Sequence, residues 1–352
     1  MSYADGWAAM NLEMPQRVPR TEYSASSHWE LVKNVTGMNV DAYSPAELQR
    51  EASLLFQKAW NYDFVWRTHT FYEAFEGYYT KMGHAIYAAG GVDYDDEISC
   101  PFKEPEEVLR FDPWDKFGFR DKQKLKEEFE ASYEDAVKSY PDGVNMTGIY
   151  ITCISGLIGI FGWEMLLTAA GLDPKGFGEV TDRYVSWIQQ YFEALAEANV
   201  PVVMIHDDIV WTSGAIFYPD WYRRYVFPNY RKLFTPLLES GKKIMYTSDG
   251  NFTEFIDELV DCGIHGFCLE PTTDMNYIAE KYGKSHVFIG NADTRILLTG
   301  SKEDIYNEVK RCMDIGKACP GYFMAVGNHI PPNTPVENAL YYNEIYEKLS
   351  RR

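Results

Sequence analysis

Residues 200–208 read VPVVMIHDD, an apolar run that stops at a histidine and two aspartates. A strand that is apolar on both faces belongs in a sheet covered on both sides, which is the situation of parallel strands in α/β proteins. The pattern recurs downstream, where residues 243–250 read KIMYTSDG, 266–271 GFCLEP, 287–293 VFIGNAD and 322–329 YFMAVGNH. Five apolar runs are thus each followed by polar residues, with longer amphipathic stretches between them.

Those stretches keep the helical period. Val185, Ile188, Phe192 and Leu195 fall on one face, as do Phe252, Phe255, Ile256 and Leu259. Ser301 and Asp304 open a helix over 305–315, and Thr334-Pro335-Val336-Glu337 reads as a capping box that starts the last helix near Pro335. With a sixth run at 149–154 and a weaker one at 63–66, the alternation predicts a (β/α)₈ TIM barrel with an N-terminal helical extension. Residues 1–352 are read as one domain, in which 1–60 are loops and helices leading into the barrel. No repeat, low-complexity segment or Gly/Ser linker divides them. The acidic, proline-containing segment 93–115 is expected to be a long loop covering the barrel mouth.

Hydrophobic residues make up 46% of the chain and charged residues 24%, enough apolar side chain for a large core. The net charge of −19 repels phosphate backbones and anionic lipid, so neither nucleic acid nor a membrane is an expected partner. Six cysteines without a CxxC pair read as reduced thiols of a cytoplasmic protein. The start lacks the basic-then-apolar pattern of a leader. The apolar stretch 148–162 is shorter than the roughly 20 residues a bilayer requires and reads as a buried strand with a Gly-rich turn. A P-loop, a G-x-G-x-x-G after a strand, H-E-x-x-H and G-x-S-x-G are all missing, which argues against nucleotide chemistry and serine hydrolysis.

The carboxyl ends of barrel strands share one mouth. That brings His206, Asp207, Asp208, Asp249, Glu270, Asn291, Asp293 and His329 together in expectation. Capping and turns account for Asp249, Asn291 and Asp293 one at a time. Caps do not call for histidine, however, and two of the seven histidines follow strands directly. His206, Asp207, Asp208 and Asp249 are therefore candidates for proton transfer. Alternation along a strand sends one of Asp207 and Asp208 into the mouth and the other behind it, and both are kept. Tyr246, Asn291, Trp211 and Phe217 are assigned to substrate contact, packing being the alternative for the aromatic residues.

Taken together, RVPRTEY near the start, HDDIVWTSGAIFYPDWYRRYVFPNYRKLF, KKIMYTSDGN, GIHGFCLEP, IGNADTRILLTGSKEDI and AVGNHIPPNTPVENALYY resemble the uroporphyrinogen decarboxylase-like superfamily, particularly its corrinoid-dependent methyltransferase branch. The resemblance implies a barrel with its site at the strand carboxyl ends. Thiol-methylating members hold zinc with a His-x-Cys pair and a later Cys. Tyr246, Ser248 and Asn328 stand at those places and do not rebuild such a site. Decarboxylating members carry an arginine-rich N-terminal segment, where this chain has Arg17 and Arg20.

What the resemblance then implies is the demethylating type, in which a methyl group moves from a small methoxylated or methylated donor to the cobalt of a separate corrinoid protein. Zinc would be held by His329, Glu270 and Asp293 together with Asp249, with His206, Asp207 and Asp208 as alternative ligands or proton donors. The Asp-x-His-x-x-Gly segment of corrinoid carriers has no counterpart, since residues 261–266 read DCGIHG with the wrong spacing; the corrinoid is expected on a partner. The competing expectations are a metal-independent decarboxylase or lyase of the same superfamily and a non-catalytic binding subunit.

Overall fold

A computed structural model describes residues 3–80, 86–88, 91–93 and 100–352. Its barrel strands are β1 (Phe64–Val65), β2 (Val144–Asn145), β3 (Thr147–Ile149), β4 (Val202–His206), β5 (Lys243–Thr247), β6 (Gly266–Cys268), β7 (Val287–Ile289) and β8 (Tyr322–Phe323). Strands β3 to β8 pair in sequence order, all parallel. β1 pairs in parallel with β2, which continues into β3 after Met146.

A segment too short to be a strand closes the ring. Met324, just past β8, donates its N–H to Pro19 O at 2.8 Å, and Thr21 N–H returns to Met324 O at 3.1 Å. On the other side Arg20 O accepts from Asp63 N–H at 2.9 Å, and Asp63 O accepts from Val144 N–H at 2.8 Å. Residues 19–21, β1, the β2–β3 stave and β4 to β8 therefore make eight staves. Every residue of β3 and β4 is buried. Their contact leaves no room at Gly148, where a Cβ would lie 2.0 Å from Met204 O. One continuous apolar core runs from Ala9 to Tyr346.

Several expectations change. The run 149–154 is not one strand: β3 ends at Ile149, and helix spans Ile154–Leu172 with a break at Gly162, whose φ of 72° is not helical. Two of the glycines that suggested a turn are contact points on this helix, and Gly162 makes its break. A Cβ at Gly156 would meet Tyr184 Oη at 1.9 Å, and one at Gly159 would meet the Tyr72 ring at 2.5 Å. This is the one described helix long and apolar enough to cross a bilayer, but 67% of that window is buried in the protein, as in a core helix.

The Phe252–Leu259 face divides between a 3₁₀ turn, Thr253–Phe255, and a helix, Ile256–Asp261, with all four predicted residues buried. The helix that Ser301 and Asp304 open spans Lys302–Gly316, and the two residues form a capping box. Thr334 does not cap the last helix. Pro335 takes the N-cap position before Val336–Leu349, and the buried Thr334 hydroxyl has no partner. Segment 93–115 lies partly outside the described residues; its later part forms short helices at Pro105–Leu109 and Pro113–Phe117. Phe102 and Phe111 pack edge-on against Phe161 on the Ile154–Leu172 helix, so the described part clamps that helix and does not line the mouth.

Candidate active site

The carboxyl ends of the staves surround a cavity of about 60 Å³. Tyr23 follows the 19–21 stave, Trp66 follows β1, Tyr150 follows β3, and His206 ends β4. Thr247 and Asp249 come from the end of β5, Cys268 from β6, Ile289 from β7 and residues 325–329 from beyond β8. All eight staves thus contribute, and among the described residues no lysine or arginine lines the cavity.

At its base, His206 Nε2 lies 3.2 Å from Asp208 Oδ1, and Nδ1 lies 3.2 Å from Tyr150 O and 3.4 Å from Ser155 Oγ. Tyr150 stacks on the imidazole with ring centroids 3.8 Å apart. Burial opposes a charged ring here, but the Asp208 carboxylate and its hydrogen bond outweigh it and hold the His206 pKa up at about 9. His206 is therefore an imidazolium at neutral pH.

The Asp249 N–H donates to Asp208 Oδ1 at 3.0 Å. The Asp249 side chain is exposed at the cavity, beside the Asp208 and Glu270 carboxylates. Desolvation comes first, then the neighbouring Asp208 and Glu270 charges, and together they raise its pKa to about 8. The shift favours the protonated carboxyl at Asp249 toward neutral pH. His206, Asp208 and Asp249 offer one imidazole and two carboxylates whose ligand atoms lie within 4.8 Å of one another. Among the described residues this is the group of acidic, thiol and imidazole side chains that could hold a cation.

Asp207 points behind the barrel wall. It accepts Ser155 N–H at 2.6 Å and Tyr230 O–H at 2.5 Å, so its role is structural. Tyr246 is fully buried with its hydroxyl on Asp207 O at 3.1 Å, and it does not reach the cavity. Asn291 is buried too, held by Glu270 O, Thr273 O and Arg311. Trp211 stands half-exposed on a rim hairpin beside Trp163, and Phe217 packs between Phe177 and Trp221; neither lines the cavity.

The expected ligand set of His329, Glu270 and Asp293 is not assembled. Asp293 caps the helix Thr294–Thr299 and pairs with Arg295 at 2.6 Å, which holds its carboxyl below the usual range against the effect of burial. Glu270 braces neighbouring loops, accepting Gly250 N–H at 2.7 Å and the Asn328 amide. His329 does line the cavity, but burial lowers its pKa to about 4 and its ring packs edge-on against Tyr23 at 4.7 Å.

Sequence reasoning missed Tyr23, Trp66, Tyr150, Ser155 and Cys268. The strand-end rule would have found Tyr150 and Tyr23 had β3 been ended at Ile149 and the 19–21 stave recognised.

Comparison with known proteins gives a match to the family described as uroporphyrinogen decarboxylase (URO-D) over residues 105–348. Uroporphyrinogen decarboxylase of Syntrophotalea carbinolica is 28% identical over 178 residues, 51% of this chain and 50% of that protein. That of Geobacter metallireducens is 26% identical over 190 residues, 54% of each. The chain spans about half the length of the curated relatives it matches. Among solved structures, a methyltransferase from Methanosarcina mazei is similar at a TM-score of 0.62, covering 97% of this chain and 96% of that one at 18% identity, a likeness of fold.

Proposed function

Because the chain belongs to the uroporphyrinogen decarboxylase family, we propose that its barrel is a methyltransferase that demethylates a small methoxylated donor and passes the methyl group to the cobalt of a separate corrinoid protein. The observation that carries this reading is the Asp249 carboxyl standing beside the His206–Asp208 pair, the three side chains offering atoms within 4.8 Å of one another at the cavity. A carboxyl whose pKa is raised, next to an imidazolium, can neutralise an oxyanion. As the C–O bond of the donor breaks, its electron pair stays on oxygen, the methyl carbon bonds to the nucleophilic cobalt, and Asp249 gives the oxygen its proton. His206 stays charged and hydrogen-bonded to Asp208, which keeps positive charge beside the departing oxygen.

The donor set of His206 Nε2, Asp208 and Asp249 also fits a divalent cation such as zinc, in place of the ligands expected from sequence. When bound there, zinc would act as a Lewis acid on the leaving oxygen. Asp249 and His206 would give up their protons to hold it.

The test is incubation of the protein with a reduced corrinoid protein and a panel of methoxyarenes, followed by absorbance. Methylated corrinoid forming with at least one donor, and lost in Asp249→Asn, is the expected result. No methylation with any donor, together with CO₂ release from a carboxylated substrate, would establish the decarboxylase reading named by the curated relatives.

A further inference from the structure

Adjoining the reaction cavity at His329 is a second one of about 240 Å³, lined by Ser24, Ser27, His28, His329 and residues 330–332. The two share His329. Tyr23 lines the first and its neighbour Ser24 the second, so the partition between them is the edge-to-face contact of Tyr23 with His329.

This partition is fastened on both flanks. On one side Glu22 accepts Val326 N–H at 3.0 Å, and Glu22 is itself fixed by Arg20 and by the Tyr342 hydroxyl, each at 2.8 Å. Arg20 is fully buried between the rings of Trp60 and Tyr346. On the other side Ser24 Oγ accepts Ile330 N–H at 3.2 Å. Three links, 22 to 326, 23 to 329 and 24 to 330, thus zip two loops together with the His329 ring between the cavities. Within the second cavity His28 is committed to structure, with Nε2 on Thr334 O at 2.9 Å and Nδ1 accepting Leu31 N–H at 3.2 Å. Its remaining lining includes Ile330, Pro331 and Pro332, a surface suited to an apolar extension of a ligand.

We propose that His329 is a specificity-determining wall: its ring limits the length of donor the reaction cavity accepts, and removing the ring joins the two cavities and admits donors longer by one aromatic ring. This rests on the methoxyarene reading above. The ring acts by shape, so phenylalanine can replace it.

Calorimetric titration of the full chain without corrinoid tests the wall separately from the reaction. The short probe is 4-methoxyphenol and the long one is 4′-methoxybiphenyl-4-ol, each titrated into wild type, His329→Ala and His329→Phe. The expected result is that the short probe binds all three proteins, while the long probe binds His329→Ala at least about tenfold more tightly than wild type or His329→Phe, a difference of about 1.4 kcal/mol. Equal affinity of the long probe for wild type and His329→Ala overturns the proposal. So does a gain shared by His329→Phe, or no binding of either probe to any of the three. Should the binding pattern hold while no donor is demethylated, the reaction reading falls and the wall stands.

Discussion

The Asp207 carboxylate accepts the backbone N–H of Ser155 at 2.6 Å, 52 residues away in sequence. The end of β4 thereby supplies the negative group that the first turn of the Ile154–Leu172 helix needs. His206 faces the cavity one residue earlier, so a single strand end places a cavity-lining imidazole on one side and a helix anchor on the other.

Asp207→Ala should lower stability by roughly 2–4 kcal/mol, because it strands the buried Ser155 N–H and Tyr230 O–H. Asp207→Asn keeps one acceptor and should lose less. Burial raises the Asp207 pKa to about 6, above the unfolded value, so wild-type stability gained below about pH 4 is lost as pH climbs through 6. Denaturant titrations between pH 4 and 7 should show that slope in wild type and a shallower one in Asp207→Asn; parallel slopes would remove Asp207 from the account.

Asp249→Asn should fold normally and lose methyl transfer by about 10²–10⁴-fold, the usual reach of a general acid. In the wild type the acid limb should fall as pH rises through about 8. The linked stability has the same sign: it is present at low pH and lost toward pH 8, and the asparagine variant should not show it. A pH–rate profile that stays flat from 6 to 9 would assign the proton to another group.

Asp208→Asn should release His206 from the charge that keeps it protonated. The imidazole, titrating near 9 in wild type, should then titrate about one to three pH units lower, as followed by NMR of the ring protons. Because the folded pKa exceeds the unfolded one, the pairing stabilises the protein below about pH 6.5 and its contribution fades as pH rises through 9. An unmoved titration in Asp208→Asn would mean that Tyr150 or Asp249 sets the value.

Zinc should bind the wild type with an affinity that rises with pH up to about 9, since Asp249 and His206 must each lose a proton to ligate. Calorimetry in two buffers of different ionisation enthalpy should show the proton release. His206→Ala and Asp249→Asn should abolish one-to-one binding, whereas His329→Ala and Asp293→Asn should retain it. Loss of metal in His329→Ala alone would restore the ligand set expected from the sequence.

The strands from β4 onward were legible because each is a short apolar run ended by a polar residue, and His206, Asp249 and His329 do meet at one mouth. The same rule misplaced Asp293 and Asn291. Both follow β7, but one turns outward to cap a helix and the other is absorbed into hydrogen bonds with Glu270, Thr273 and Arg311. The plain capping alternative was the correct one for Asp293. The first part of the barrel was hidden for a different reason. β1 and β2 have two residues each, and the 19–21 stave exists only through bonds to Asp63 and Met324, so no local period marks it. The helix at Ile154 was equally unreadable, because its anchoring carboxylate belongs to another strand and two of its glycines serve packing.

The stave at residues 19–21 also sets an order of events during synthesis. Glu22 leaves the ribosome 304 residues ahead of Val326, the backbone group it must hold. Until then the growing chain has an open sheet, with the outer edge of the 19–21 stave and that of the newest strand both bare. Closure is therefore a late step that joins distant parts of the chain, the kind of long-range contact that is slow to form and exposes sheet edges while it waits. The reaction chamber comes into being at that same moment, since Tyr23 and His329 arrive from the two segments that meet there.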